Sequence, residues 1–222
     1  MRTLIVSNSH HNIMNGIRNA TDGVLWNEQM KSAFDTFYEF RPERVFVQKE
    51  DMTDNLYKCI LKYQPQVWTD ANIGLPVNSF EFKAGFDDFS YKPSTYDGAT
   101  YIGTYKPELD WLNHVDVKIF GSKWPSPKCL GMCLQHTENN FLGGITISFG
   151  TDKYEDRPYK SLGVGGKCLS KYSDYLYNTF GESLEYFTNF DEFLKGFEKI
   201  KRTKYKPFDI SKFTYKFYVE AA

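Results

Sequence analysis

Arg44-Val45-Phe46-Val47-Gln48, then Asp54-Asn55-Leu56-Tyr57-Lys58-Cys59-Ile60-Leu61-Lys62-Tyr63, then Gln66-Val67-Trp68-Thr69-Asp70 follow one another within residues 44–70. The outer two are short apolar runs rich in β-branched residues, which read as buried parallel strands, and the middle one carries a helical spacing. Upstream, Arg2-Thr3-Leu4-Ile5-Val6-Ser7 is a run of the same kind that breaks into a polar loop from Asn8 to Asn15. Between them, Leu25 to Tyr38 has apolar residues at 26, 30, 33, 34 and 37, which predicts a helix ending before Pro42. The pattern is β-α-β-α-β, a parallel sheet with helical crossovers.

Residues 74–98 change character, with Pro76, Gly85, Pro93 and Gly98 among Phe, Asp, Ser and Tyr. That mixture predicts a connection rather than a layer element. The alternation then restarts with strands at 99–104 and 115–121 around a short helix at 108–113. It continues with strands at 144–149 and 167–170, a helix at 157–164 and a late helix at 191–200. The expected fold class is therefore α/β with two Rossmann-like domains facing a cleft. A first domain spans 1–84, a linker 85–98, and a second domain 99–222 that includes the C-terminal helix and tail. In such folds strand C-termini, their loops and helix N-termini converge on a ligand.

A length of 222 residues suits this layout. Hydrophobic residues are 41% and charged residues 25%, which excludes a disordered, collagen-like or disulfide-scaffold chain. No apolar run is long enough for a membrane span, and the start MRTLIVSNSHHN does not read as a signal peptide. The expected compartment is the cytoplasm, with Cys59, Cys129, Cys133 and Cys168 as reduced thiols. Residues 1–98 carry a charge balance of -3 and residues 99–222 of +2, so neither half is a polycation. Aromatics at 18% suit packing, base stacking or sugar stacking alike.

Neither G-x-G-x-x-G nor G-x-x-x-x-G-K-[ST] occurs, which disfavours an ordinary nicotinamide, flavin or P-loop site. Phosphate binding would need another device. Arg157-Pro158 at a predicted helix start, followed by Gly163-Val164-Gly165-Gly166, would suit a diphosphate. A capped helix with a tight turn into the next strand accounts for the same residues.

Several pieces, in order, resemble one family. Tyr101-Ile102-Gly103-Thr104-Tyr105 matches an F-I-G-x-x strand, and Ile119-Phe120-Gly121-Ser122-Lys123-Trp124 matches I-x-G-x-x-W. Arg157 to Gly166 matches R-x-x-E-x-x-A-x-G-G, and Tyr186 to Phe193 matches Y-F-x-x-x-E-E-F/L. Over about residues 85–200 the chain thus resembles the two-Rossmann (GT-B) nucleotide-sugar glycosyltransferases, in particular the spore-maturation type of the glycosyl transferases group 1.

The resemblance implies transfer of a sugar from a nucleoside-diphosphate sugar to a hydroxyl acceptor, with cations and helix N–H groups stabilising the leaving diphosphate. It calls for no metal and no cofactor beyond the nucleotide-sugar co-substrate. Gly103, Thr104, Tyr105, Lys123, Trp124, Arg157, Tyr159 and Lys160 are the implied donor-binding residues, with Tyr105 or Trp124 stacking on a base. Lys160 departs from the pattern, because the family usually has a carboxylate there that accepts from the donor ribose, and a lysine has only donors. It would neutralise a diphosphate beside Arg157, or mark an unusual donor or an inactive site. Asp152 falls where related enzymes place their other carboxylate.

An inverting transfer needs a base for the acceptor proton. Asp70, His10 and His11 follow predicted strand C-termini and are the catalytic candidates; a retaining enzyme would need none of them. Cys129-x3-Cys133-x2-His136 lacks a fourth ligand and zinc-module spacing, so it reads as one packed helix face rather than a metal site. Ser7 and Ser9 beside His10 lack the G-x-S-x-G elbow of a hydrolase. The tail 199–216, with seven basic residues and one acidic, reads as a solvated helix end. A grip on nucleic acid is the other reading, since small phage enzymes that glycosylate modified DNA bases share this architecture. A different class of function is a non-catalytic protein that binds or sequesters nucleotides or nucleotide sugars.

Overall fold

A computed structural model describes residues 1–7, 12–69, 74–75, 77, 79–81, 84–125, 128–133, 135–153, 155–204 and 206–220. Strands β1 (Thr3–Val6) and β3 (Arg44–Val47) are buried at every residue, as parallel strands covered on both faces must be. Around them run α1 (Asn12–Thr21), β2 (Val24–Trp26), α2 (Ala33–Phe40), α3 (Asp54–Tyr63), β4 (Gln66–Thr69) and β5 (Ser79–Glu81). The sheet is all parallel in the order β2-β1-β3-β4-β5. One face carries Leu4, Val6, Val45, Val47 and Val67, packed with Ala33 and Phe37 of α2 and Leu56, Cys59 and Ile60 of α3. α3 has the expected bounds because the Thr53 hydroxyl caps Leu56 N at its start, and Gln64, in the left-handed conformation, closes onto Ile60 O.

The second sheet begins with β6 (Ala99–Ile102). A 3-10 stretch (Pro107–His114), β7 (Lys118–Phe120), α4 (Gln135–Glu138) and β8 (Ile145–Ser148) follow. Then come α5 (Arg157–Gly163), β9 (Lys167–Lys171), α6 (Asp174–Phe180), β10 (Glu185–Phe187) and α7 (Phe190–Arg202). The strand order is β10-β9-β8-β6-β7, again all parallel. Its two faces differ. Tyr101, Ile119, Ile147, Phe149, Leu169 and Phe187 form a core with Phe193 and Phe197 of α7. The other strand residues put Thr100 beside Thr146, Thr146 beside Cys168 and Ser148 beside Ser170, and α5 packs over β8 and β9. Lys167 donates to Ile200 O and Thr203 O at 2.7 and 3.1 Å, capping the last turn of α7.

The units are Met1–Phe89 with Phe213–Ala222, and Ser90–Lys212. The tail from residue 213, expected to end the second domain, therefore packs in the first. α8 (Tyr215–Glu220) lies against α1, where Gly16 leaves room for the Tyr215 ring that a Cβ would overlap. Phe86 N donates to Phe213 O at 2.8 Å and Tyr215 N to Phe86 O at 3.1 Å, so the early part of the expected linker belongs to the first unit. Ser94 N, by contrast, donates to Val164 O in the second.

Three local expectations change. The helix expected over 25–38 is strand β2, an Asn27 turn and then α2, capped by the Ser32 hydroxyl on Asp35 N. β2 pairs with β1, and sheet pairing overrides the helical spacing there. Residues 74–98 include β5, a layer strand. Cys129 and Cys133 do not share a helix, because Cys129 bridges to Ile119 beside β7 and α4 starts only at Gln135.

Candidate functional site at the strand ends of the second sheet

In the order β10-β9-β8-β6-β7 the chain leaves β6 for β7 on one side and returns to β8 on the other. The β6/β8 boundary is thus the switch point, outside whose strand C-termini open α/β sheets bind ligands. The loops after β6, β7 and β8 meet there and are tied to one another.

Gly103 N donates to Phe120 O at 2.9 Å and Tyr105 N to Ser122 O at 3.0 Å, so the β6 and β7 loops run on as a short backbone zipper. Gly121 has φ +144°, and a Cβ on it would overlap Gly103 O; only glycine permits this approach. Trp124 Nε1 donates to the same Gly103 O at 2.8 Å, and its ring meets Tyr101 and Tyr105 edge-on. Trp124 is a strut between loops rather than a stacking face.

The β8 side is tied by Arg157. Its Nε and Nη2 both donate to Ile102 O, at 2.9 and 2.8 Å, and Nη1 donates to Glu155 Oε1 at 2.7 Å. The Glu155 carboxylate in turn lies against Gly150, where a Cβ would overlap it. Burial acts to lower the Arg157 pKa, but Glu155 and Tyr101 more than offset that, and the guanidinium is held above its usual range. Arg157 clasps the ends of β6 and β8 from behind, with each of its terminal nitrogens engaged. Gly103 is needed on this side too, since a Cβ would press on Arg157 Nη2.

Lys160 and Tyr159 also point away from the strand ends. Tyr159 is 0% exposed, with its hydroxyl against that of Tyr175. Lys160 is 4% exposed and pairs with Asp156 at 2.8 Å and Glu138 at 3.1 Å. Tyr91 donates to the same Glu138 oxygen at 2.6 Å. Burial alone would lower Lys160, yet Asp156 and Glu138 hold it well above the ordinary lysine value. Burial, with Glu138, also pushes the Tyr91 phenol up. The lysine at the position of the family carboxylate is therefore the buried centre of a four-residue network.

Thr104 and Lys123 are exposed on the outer side of these ties, with Tyr105 and Ser122 half-buried. The Thr104 and Ser122 hydroxyls are 3.1 Å apart, and the Tyr105 hydroxyl donates to Asp110 at 3.2 Å. Lys123 holds φ 63° and makes no ion pair among the described residues. Left-handed backbone at a non-glycine residue stores strain, and such residues gather at ligand sites. Sequence reading missed Ser122, Glu155 and Glu138, which carry no motif of their own. Of the expected set, Gly103, Thr104, Tyr105, Lys123, Trp124 and Arg157 come together here, while Tyr159 and Lys160 lie beneath. Asp70, His10 and His11 lie outside the described residues.

Among solved structures the chain is similar to the UDP-GlcNAc 2-epimerase from Methanocaldococcus jannaschii. The alignment covers 100% of this chain and 99% of that one, with a TM-score of 0.55 and 11% sequence identity. The fold is shared. Both parallel five-stranded sheets are those of a two-domain Rossmann-like α/β protein. No family model matches the chain, and no curated protein does. Among the described residues no helix is long and apolar enough to cross a membrane.

Proposed function

We propose that the chain is a nucleotide-sugar enzyme that transfers a sugar from a nucleoside-diphosphate sugar to a hydroxyl acceptor. The observation that carries this reading is the tied switch-point edge of the second sheet, which presents Thr104, Tyr105, Ser122 and Lys123 on loops fixed by Gly121, Trp124 and Arg157. The likeness in fold to an enzyme named for a nucleotide sugar supports the same class of ligand.

In this reading Lys123 neutralises the diphosphate, Thr104 and Ser122 hydrogen-bond to it or to the ribose, and the Tyr105 ring stacks on the base. Arg157 and Lys160 act from behind, the first by fixing two loops and the second by fixing the start of α5. The bond from the anomeric carbon to the diphosphate oxygen breaks, and a bond from that carbon to the acceptor oxygen forms. The nucleoside diphosphate leaves with the electron pair. The acceptor proton goes to Asp70, His10 or His11, each of which follows a strand of the first sheet.

Titration with nucleoside diphosphates and their sugars while following thermal unfolding tests the binding step, since a ligand at about 100 times its Kd adds roughly 2.7 kcal/mol. A shift with one nucleoside diphosphate, reduced in Tyr105→Ala and Lys123→Ala, supports the site. No shift with any of them removes the reading. A shift without release of nucleoside diphosphate in the presence of hydroxyl acceptors would make the chain a binding protein instead.

A further inference from the structure

The two flanks of the second sheet are finished differently. Beyond β7, Cys129 bridges to Ile119, Leu130 N donates to Ile119 O and Gly121 N to Gly131 O, the last two at 2.8 Å, so the chain covers that flank with its own backbone. β10 ends the sheet on the other side, with no strand beyond it among the described residues. Successive residues of a strand turn their main-chain groups to opposite sides. Tyr172 N donates to Phe187 O at 2.9 Å, which directs Phe187 and Glu185 toward β9 and Tyr186 away from it. Leu184, extended at φ -104° and ψ 156°, is in the same phase as Tyr186. Both residues thus present main-chain N–H and C=O groups to the open flank, where nothing among the described residues pairs with them.

A hollow of about 370 Å³ runs along this flank. Tyr177 of α6, Leu184 to Tyr186 and Lys199 of α7 line it, and no residue of β9 does. A smaller hollow beside it shares Glu182, Leu184, Glu185 and Lys206 and reaches Lys204. The α6 side is aromatic: the rings of Tyr172, Tyr177 and Tyr186 meet one another with centroids 5.7–6.0 Å apart, and Tyr177 is 47% exposed. The α7 side is cationic. Lys199 pairs with Glu185 at 2.8 Å and Lys206 with Glu182 at 4.0 Å, so each acid of the hollows is matched, and the exposed Lys204 has no ion pair among the described residues. Residues 198–206 hold five basic side chains and one acidic.

We infer that the open flank of β10 is a docking site for an extended, acidic segment of a partner polypeptide, which adds to the second sheet as a sixth strand. An uncovered strand offers alternating donors and acceptors, and a peptide backbone supplies both in return. A phosphate supplies only acceptors, and Glu182 and Glu185 stand in the hollow against it, so the flank fits a peptide better than a nucleic acid. The side chains set the rest. Those of the added strand point alternately to its two sides, so one set lies on the tyrosine cluster and the other on the lysines, where carboxylates complement the excess of cations.

The test uses the full chain with no nucleotide present, so its failure is separate from failure of the donor site. The probe is a capped, fluorescently labelled heptapeptide that alternates Asp with Val and Tyr, followed by anisotropy. Its controls are the same peptide with Lys for Asp, two forms N-methylated at every second residue in either phase, and a single-stranded oligonucleotide. The expected result is binding of the acidic peptide, with the Leu184 and Tyr186 amides slowed in hydrogen exchange. Methylation in the phase that faces β10 should weaken binding about tenfold or more, because it removes the donated hydrogen bonds, and methylation in the other phase should change it little. Tyr177→Ala and Lys204→Glu, at exposed side chains, should each weaken it about fivefold, the second only at low salt. The inference is overturned if the acidic peptide does not bind, if the two methylated forms bind alike, or if the oligonucleotide or the Lys peptide binds in its place.

Discussion

The two sheets share a topology and differ in how their strand ends are finished. In each, the first strand of the unit is flanked by the second and third, with the fourth and fifth beyond, so β2-β1-β3-β4-β5 repeats as β7-β6-β8-β9-β10. The second edge is closed by its own side chains: Arg157 spans two loops, Trp124 a third, and Gly121 lets two backbones meet. Among the described residues, buried polar atoms without a partner occur at both edges, at Gln48 and Thr69 in the first and at Ser148, the end of β8, in the second. One topology thus supports, in the second unit, a strand edge held rigid by Arg157 and Trp124. Preorganised edges suit a charged leaving group, whose stabilisation depends on dipoles fixed beforehand.

The largest effect should come from beneath the second edge. Lys160→Ala leaves the buried Glu138 and the half-buried Asp156 without their cation and is expected to cost about 3–5 kcal/mol, measured by denaturant unfolding. A change below 1 kcal/mol would mean the network is not a keystone and that the two edges are supported alike. Next, Gly121→Ala should cost about 3 kcal/mol, since its Cβ meets backbone that cannot move aside and its φ disfavours a side chain. A structure of that variant with the β6 and β7 loops still zipped would break the account of the edge.

Alkaline pH separates the units without mutation. Lys160 and Tyr91 both have raised pKa values in the folded state, so their contribution is complete below the unfolded values near pH 10 and declines as pH rises past them. Amide exchange above about pH 10 should show the second unit loosening around α5 before the first does. Simultaneous loosening would place the alkaline weakness elsewhere. Smaller still, Tyr105→Ala should weaken nucleotide binding roughly tenfold by loss of stacking. Least of all, Lys199→Ala breaks an exposed pair with Glu185 and should change stability by less than about 1 kcal/mol.

Strands whose burial is two-sided announced themselves: Leu4-Ile5-Val6, Val45-Phe46-Val47 and Ile145-Thr146-Ile147 are apolar runs with no rival reading. Edge strands did not. Val24-Leu25-Trp26 merges with a helical spacing, and β5 is hidden among Pro and Gly. Each is a strand only because a neighbour offers hydrogen bonds. The cap at Ser32, with Asp35 three residues on, was a legible signal for where α2 begins. At the candidate site, the motifs marked Gly103 and contained Gly121, but not that Gly121 lets its backbone meet Gly103 O. Lys160 and Tyr159 were read as ligand contacts because a motif lists residue types and not the side of the helix they occupy.

The amino-acid sequence by itself determined the α/β class, the two successive units and most central strands, because local periodicity and burial on both faces leave few alternatives. Only the tertiary structure decided that the last helix returns to the first unit and that Arg157 and Lys160 are held by Glu155, Glu138 and Asp156. It alone also left Gln48 Oε1 and Thr69 Oγ1 without a partner among the described residues. Those outcomes depend on partners tens of residues apart in the chain, and pairing over such distances is fixed by packing geometry rather than by any local preference.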